Sequence, residues 1–151
     1  MKPLFVLLST FILSIIIIKL VTHQYDLLFA ARISMCIMLF FTAIAHFAFT
    51  KGMSMMIPPF VPFKTELVYV TGILEIILGI GLLMPDFKVY SAWALIVFFI
   101  FLLPANIYAA INHIDYQKGT FNGNGTSYLW FRVPLQVFFI LWIYLSAIKI
   151  W

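Results

Sequence analysis

Long, uninterrupted apolar runs dominate the pattern of this chain. Five can be marked, at about Leu4–Val21, Leu28–Phe49, Leu67–Met84, Val89–Ile111 and Tyr128–Ile148. A helix needs roughly 20 predominantly apolar residues to cross a hydrocarbon core about 30 Å thick. Because the runs are continuous and do not alternate with a period of two residues, they predict spanning helices and not the strands of a barrel.

The connections between the runs differ in kind. Thr50–Thr65 is rich in methionine and broken by prolines, so it is expected to be a loop along the membrane surface and not a spanning helix. Met84–Phe87 is a very short turn, which predicts an antiparallel hairpin of the third and fourth runs. Gln117–Ser127 is rich in glycine and asparagine, which predicts a solvated loop.

The first run has two interpretations. Lys2 ahead of an apolar stretch is typical of a signal peptide. The stretch from Ile15 to Ile18, however, leads directly to Lys19 without a convincing small-residue cleavage site. An uncleaved membrane helix is therefore expected.

Composition and charge exclude several classes of protein. The chain is 65% hydrophobic and only 9% charged, whereas soluble domains are roughly half apolar and about a quarter charged. Its net charge is +4, but the basic residues are scattered near the ends of the runs, so we expect interfacial anchors and no nucleic-acid partner. Cys36 is the only cysteine, which excludes an internal disulfide and a self-contained dithiol redox site.

Glu75 is the most informative polar residue, because a charge deep within a spanning helix costs about 3 kcal/mol or more. Gly72, Glu75 and Gly79 are spaced i, i+3 and i+7, so they share one helix face that a neighbouring helix can approach closely. Glu75 either lines a pocket, as a proton carrier, cation partner or hydrogen-bonding group, or is a structural acid. We favour the first interpretation, which makes Glu75 the candidate catalytic residue and a candidate ligand-binding residue.

Four further residues are candidate ligand-binding positions. Asn106 follows a helix-interrupting proline, and Arg132 and Gln136 are spaced i and i+4, so both can point inward. His46 lies towards the end of the second run. The alternatives are an Asn106 that bonds a neighbouring helix, an interfacial Arg132, a packing Gln136 and an interfacial His46. With no HxxxH, HExxH or paired-carboxylate motif, no metal ion is expected.

Several stretches taken in order carry a family resemblance. They are ARISMCIMLFFTAIAHFAF, the MIPPFVP loop, VYVTGILEIILGIGLLMP, LPANIYAAINH and WFRVPLQVFFILWIY, which together run from about Ala31 to Tyr144. This series resembles the DoxX-like family of bacterial membrane proteins. The resemblance implies an all-α, polytopic four-helix membrane bundle over residues 27–151, with an additional N-terminal transmembrane helix over 1–26, in a single membrane domain.

The resemblance also implies a range of functions. Members of the family are linked to thiosulfate:quinone oxidoreduction and to oxidative-stress complexes in membranes. The first expectation is a protein that binds a quinone or lipid within the bundle and supports a membrane redox or stress-response complex. The second is an isomerase or quinone-linked oxidoreductase with Glu75 as proton shuttle. A bacterial inner or plasma membrane location and contact with membrane lipids are expected, and the sequence specifies no cofactor.

Overall fold

The computed structural model describes residues 2–149, and these residues form helices without a β-strand. The residues 1, 150 and 151 of the predicted domain lie outside the described part. The α-helices in chain order are α1 (Lys2–Thr22), α2 (Leu27–Ala48), α3 (Thr50–Met55), α4 (Lys64–Gly81), α5 (Lys88–Ile111) and α6 (Leu129–Ile143). A 3₁₀ turn, Gly125–Tyr128, precedes α6, and a π-helical segment, Tyr144–Ile148, continues it.

Four helical stretches are long and apolar enough to cross a membrane. They are α1, α2, α5 and the continuous stretch Gly125–Ile148 that contains α6. Their outer faces expose large apolar side chains, including Leu20 (71% exposed), Ile44 (64%) and Phe101 (75%). A soluble monomer rarely exposes such contiguous apolar surface. The all-α prediction is confirmed, and the chain has the build of a membrane protein.

The third predicted spanning run takes a different form. It is a helix, α4, but α4 has only 18 residues and these include Lys64, Glu66 and Glu75. Length and composition therefore do not place α4 among the helices that can cross a membrane by themselves. Of the five predicted spanning segments, the structure confirms four as helices that are long and apolar enough to cross a membrane.

The helices α2 and α4 are antiparallel neighbours. Val68, near the start of α4, lies beside His46 at the end of α2, whereas Gly79, near the end of α4, lies beside Cys36. The segment 49–63 that joins the two helices contains α3, and Gly52 of α3 packs against the backbone of Tyr116. We call this end of the bundle, where α3 meets the segment 112–128, the α3 end.

The connections partly match their predictions. The turn between α4 and α5 is short, and the helices approach closely beside it, since a Cβ on Gly81, the last residue of α4, would lie 3.1 Å from the Cβ of Ser91 in α5. The predicted hairpin is thus confirmed. The prediction of a loop over 50–65 is wrong for its first six residues, which form α3 before the prolines, and for its last two, which begin α4. The segment 117–127 is largely irregular, with a single bridge from Thr120 back to Asp115.

The core lies where α2, α5 and α6 meet. Met35, Leu39, Leu95 and Ile143 are fully buried there. The helix α1 joins this core through a narrow stripe that includes Leu7, while most of its surface is exposed. Because the exposed surface of α1 is apolar, lipid is its natural solvent.

Candidate functional site

Two glycines bring α4 close to α2. A Cβ on Gly72 would lie 2.9 Å from the Cβ of His46, which is closer than real side chains pack. A Cβ on Gly79 would lie 3.5 Å from Cys36 Sγ, which is an ordinary contact. The predicted close approach along the Gly72–Glu75–Gly79 face is confirmed, and Gly72 is the position that requires the absence of a side chain.

The close approach places Glu75 against His46. His46 Nε2 lies 3.5 Å from Glu75 Oε1, and the two side chains are only 11% and 4% exposed. The other carboxylate oxygen, Oε2, accepts a hydrogen bond of 2.8 Å from the hydroxyl of Thr42. Both oxygens of a buried acid therefore have polar partners on α2, as burial in an apolar bundle requires.

The other ring nitrogen of His46 defines the tautomer. Nδ1 lies 3.1 Å from the carbonyl oxygen of Val68 and 3.1 Å from the hydroxyl oxygen of Thr71. A carbonyl oxygen can only accept a hydrogen bond, so we assign the proton to Nδ1. Nε2, which faces Glu75 Oε1, can donate to that oxygen when the ring is protonated and can accept from it when the carboxyl is protonated.

The two threonines make the arrangement reciprocal. Thr42 lies four residues before His46 on α2, and Thr71 lies four residues before Glu75 on α4. Because the helices are antiparallel, each threonine lies opposite the titratable residue of the other helix. Sequence reasoning missed both threonines. The signal available was the repeated spacing, Thr-x-x-x-His on one helix and Thr-x-x-x-Glu on the other, which places hydroxyl and titratable group on one face.

The pair lies off the middle of α2. Thr42, the partner of Glu75, is six residues before Ala48 and fifteen after Leu27. At about 1.5 Å per residue, this is about 9 Å from the α3 end of the helix and about 22 Å from its start. The site is therefore closer to the α3 end of the bundle.

An aromatic pair flanks the site. Phe47 and Tyr69 stack across α2 and α4 with ring centroids 5.7 Å apart and an interplanar angle of 26°. Phe47 is 44% exposed and Tyr69 is 41% exposed. A Cβ on Gly72 would touch the Phe47 ring as well as His46, so aromatic surface and imidazole meet at the same point.

The remaining predicted site residues lie elsewhere. Asn106 and Arg132 line a cavity of about 30 Å³ at the α3 end, which Glu75 and His46 do not line. The amide nitrogen of Gln136 donates to the carbonyl of Phe99, linking α6 to α5. Within residues 2–149 no hydrogen bond or ion pair connects Glu75 to these three residues. Nor does the described part bring together three His, Cys, Asp or Glu side chains as a metal ion would require.

The fold and the buried pair define the class of the molecule, which over residues 2–149 is all-helical, with four helices long and apolar enough to cross a membrane and a polar site between α2 and α4. Residues 35–147 match the sequence model of the family described as Domain of unknown function (DUF8561). The match covers roughly three quarters of the chain, and the chain belongs to this family. The matched region begins within α2 and ends in the π-helical segment, so α1 lies outside the matched region. No curated protein and no solved structure matches the chain.

Proposed function

We propose that this protein binds a small lipophilic molecule with a hydrogen-bonding head group, such as a quinone, at the Glu75–His46 pair. The observation that carries the proposal is the placement of this pair beside the Phe47–Tyr69 stack. Imidazole and carboxyl offer a donor and an acceptor side by side. The aromatic rings offer a surface on which a flat ring can stack.

The exposures indicate the direction of approach. The His46 side chain is 11% exposed against 4% for Glu75, and Phe47 next to His46 is 44% exposed on the outer surface of the bundle. A ligand that enters along the aromatic pair meets His46 first. An imidazole beside a carboxyl can either donate to a carbonyl or accept from a hydroxyl, so a quinone and a quinol are both suitable partners.

The wider role rests on the DoxX-like resemblance. In that setting α4 crosses the membrane with Glu75 turned towards α2, and α1 is an addition to a four-helix core. The ligand-binding bundle then supports a redox or stress-response complex in a bacterial inner or plasma membrane. The order of the resembling stretches supports this part of the proposal.

An enzymatic role is the second candidate, and the contact between the Glu75 carboxyl and the His46 imidazole favours it. A carboxyl and an imidazole side by side can take a proton from one face of a substrate and return it elsewhere. Thr42 assists, because its hydroxyl can donate to Glu75 or turn to the carbonyls of Met38 and Leu39. An isomerase or quinone-linked oxidoreductase would use Glu75 as proton shuttle.

Native mass spectrometry of the gently solubilised protein tests the binding proposal, with identification of the lipids that co-purify. Wild type is compared with Glu75→Gln and with Glu66→Gln, a matched control on the exposed first turn of α4. We expect a quinone, isoprenoid or related lipid in wild type and in Glu66→Gln, and its loss in Glu75→Gln. The same ligand retained in Glu75→Gln would contradict the proposal, as would its absence from wild type.

Turnover assays separate the two candidates. Purified wild type is supplied with quinols and isomerisable lipids, and product is measured beside Glu75→Gln. Turnover that Glu75→Gln abolishes identifies the enzyme. Ligand binding without turnover identifies the accessory role.

A further inference from the structure

A second polar site lies at the α3 end, apart from the α2–α4 pair. It is the cavity of about 30 Å³ enclosed by α5, the start of α6 and the segment 112–128. Its polar lining includes Asn106, Tyr116, Tyr128 and Arg132, and none of its lining residues is acidic. A space of this size takes about one water-sized group.

Arg132 brings an unneutralised charge to this cavity. It is half-buried, and its guanidinium donates to the Tyr128 hydroxyl at 3.3 Å and lies 5.9 Å from that ring. In the described part of the chain no carboxylate pairs with it. Asp115, the acid of the nearby segment, accepts instead from the backbone of Gln117 and Lys118. A half-buried guanidinium without a carboxylate is suited to an external anion.

Asn106 adds a buried donor. The residue is 8% exposed, and its side chain lines the same cavity and makes no hydrogen bond to any residue in 2–149. Because the Tyr128 oxygen accepts from Arg132, the Tyr128 hydroxyl hydrogen is also available. The cavity thus offers hydrogen-bond donors around a positive charge, and buried polar groups of this kind call for a partner.

We propose that this cavity binds an oxyanion of the phosphate type. One oxygen enters beside Asn106, and the guanidinium of Arg132 holds the rest of the anion outside. The anion is either the head group of an anionic lipid, which the position at the end of the spanning helices favours, or free phosphate. This inference is independent of the proposed function, because neither Glu75 nor His46 takes part.

The test measures thermal unfolding of the full chain in nanodiscs. Phosphatidylcholine discs are compared with discs that also contain phosphatidylglycerol, and with phosphatidylcholine discs supplied with inorganic phosphate against chloride at equal ionic strength. The variants are Arg132→Gln and Asn106→Asp. The control is Arg32→Gln, which removes another half-buried arginine, one that lies over the Phe29 ring at the opposite end of α2.

We expect phosphatidylglycerol, phosphate or both to raise the Tm of wild type and of Arg32→Gln. Stabilisation by the lipid alone identifies a head-group site, and stabilisation by free phosphate identifies a soluble ligand. Arg132→Gln should lose more than half of the shift. Asn106→Asp is informative even if Arg132→Gln does not fold, because it keeps Arg132 and places a carboxylate in the cavity, where it repels the anion. A wild type without any shift, or an Asn106→Asp variant with the full shift, would overturn the inference.

Discussion

The hydroxyl of Thr42 donates to Glu75 across the α2–α4 contact at 2.8 Å. This bond joins the two helices and supplies the buried carboxyl group with a hydrogen-bond donor. Replacement by valine keeps the shape and removes the donor. Thr42→Val should lower the free energy of unfolding by about 1–3 kcal/mol, the cost of an unsatisfied buried acceptor. Chemical unfolding in detergent measures this change.

Thr10→Val is the matched control for Thr42→Val. Thr10 is also partly buried, but its hydroxyl bonds only the backbone of its own helix, at Val6 and Leu7. Its replacement should change stability much less. Equal costs for the two variants would show that the Thr42–Glu75 bond contributes nothing beyond helix-backbone bonding.

Two glycines on α4 allow a second comparison. Gly72→Ala places a methyl group 2.9 Å from His46 Cβ, whereas Gly79→Ala meets Cys36 at an ordinary 3.5 Å. Both variants gain the same helix propensity. Gly72→Ala should be destabilised by about 1–3 kcal/mol, because the helices must separate. Gly79→Ala should be neutral or stabilised in the same unfolding assay.

The outcome for Gly72→Ala also bears on ligand binding. Helix separation pulls His46 from Glu75, so ligand retention should fall together with stability. An alanine at position 72 that costs nothing would contradict the packing described for α2 and α4.

The tautomer of His46 is a third testable feature. The Val68 carbonyl at 3.1 Å from Nδ1 requires a proton on Nδ1. Nitrogen NMR of selectively labelled protein in detergent should show Nδ1 protonated wherever the protein is folded, with Nε2 as the nitrogen that changes state with pH. A spectrum in which Nδ1 lacks its proton would contradict the assignment.

The fourth prediction concerns α3. A Cβ on Gly52 would lie 1.9 Å from the Tyr116 carbonyl oxygen, a backbone atom that cannot rotate away. Gly52→Ala should therefore lift the segment 112–128 from α3 and increase its hydrogen exchange and its cleavage by protease. Lys51→Ala, at an exposed neighbouring position, should leave both unchanged. Unchanged protection in Gly52→Ala would show that this contact does not hold the segment in place.

The sequence predicts the helices well because each apolar run must satisfy its backbone within lipid. It also predicts the face of α4 that carries Glu75, because the glycine spacing is a property of one helix. The partner on α2 depends on the register between two helices, which no single segment encodes. For that reason His46 could be named as a candidate but not paired with Glu75.

The same limit applies to the other site residues. Asn106 and Arg132 share a cavity that is lined partly by the segment 112–128. That segment is largely irregular and has no periodic pattern from which its position can be predicted, so the separation of the cavity from Glu75 follows only from the fold. Thr42 and Thr71 carry no charge, and a threonine in an apolar run commonly bonds its own backbone. Their roles emerge only when the antiparallel helices are placed together.

Equilibrium binding of a short-tailed benzoquinone to the protein in nanodiscs tests the central claim most directly. Hydrogen bonds to charged groups contribute about 1.5–3 kcal/mol, which corresponds to a loss of about tenfold or more in affinity. We predict this loss for Glu75→Gln and for His46→Leu, with Glu66→Gln equal to wild type. Equal affinity in wild type and Glu75→Gln would contradict the assignment of the α2–α4 pair as the ligand site.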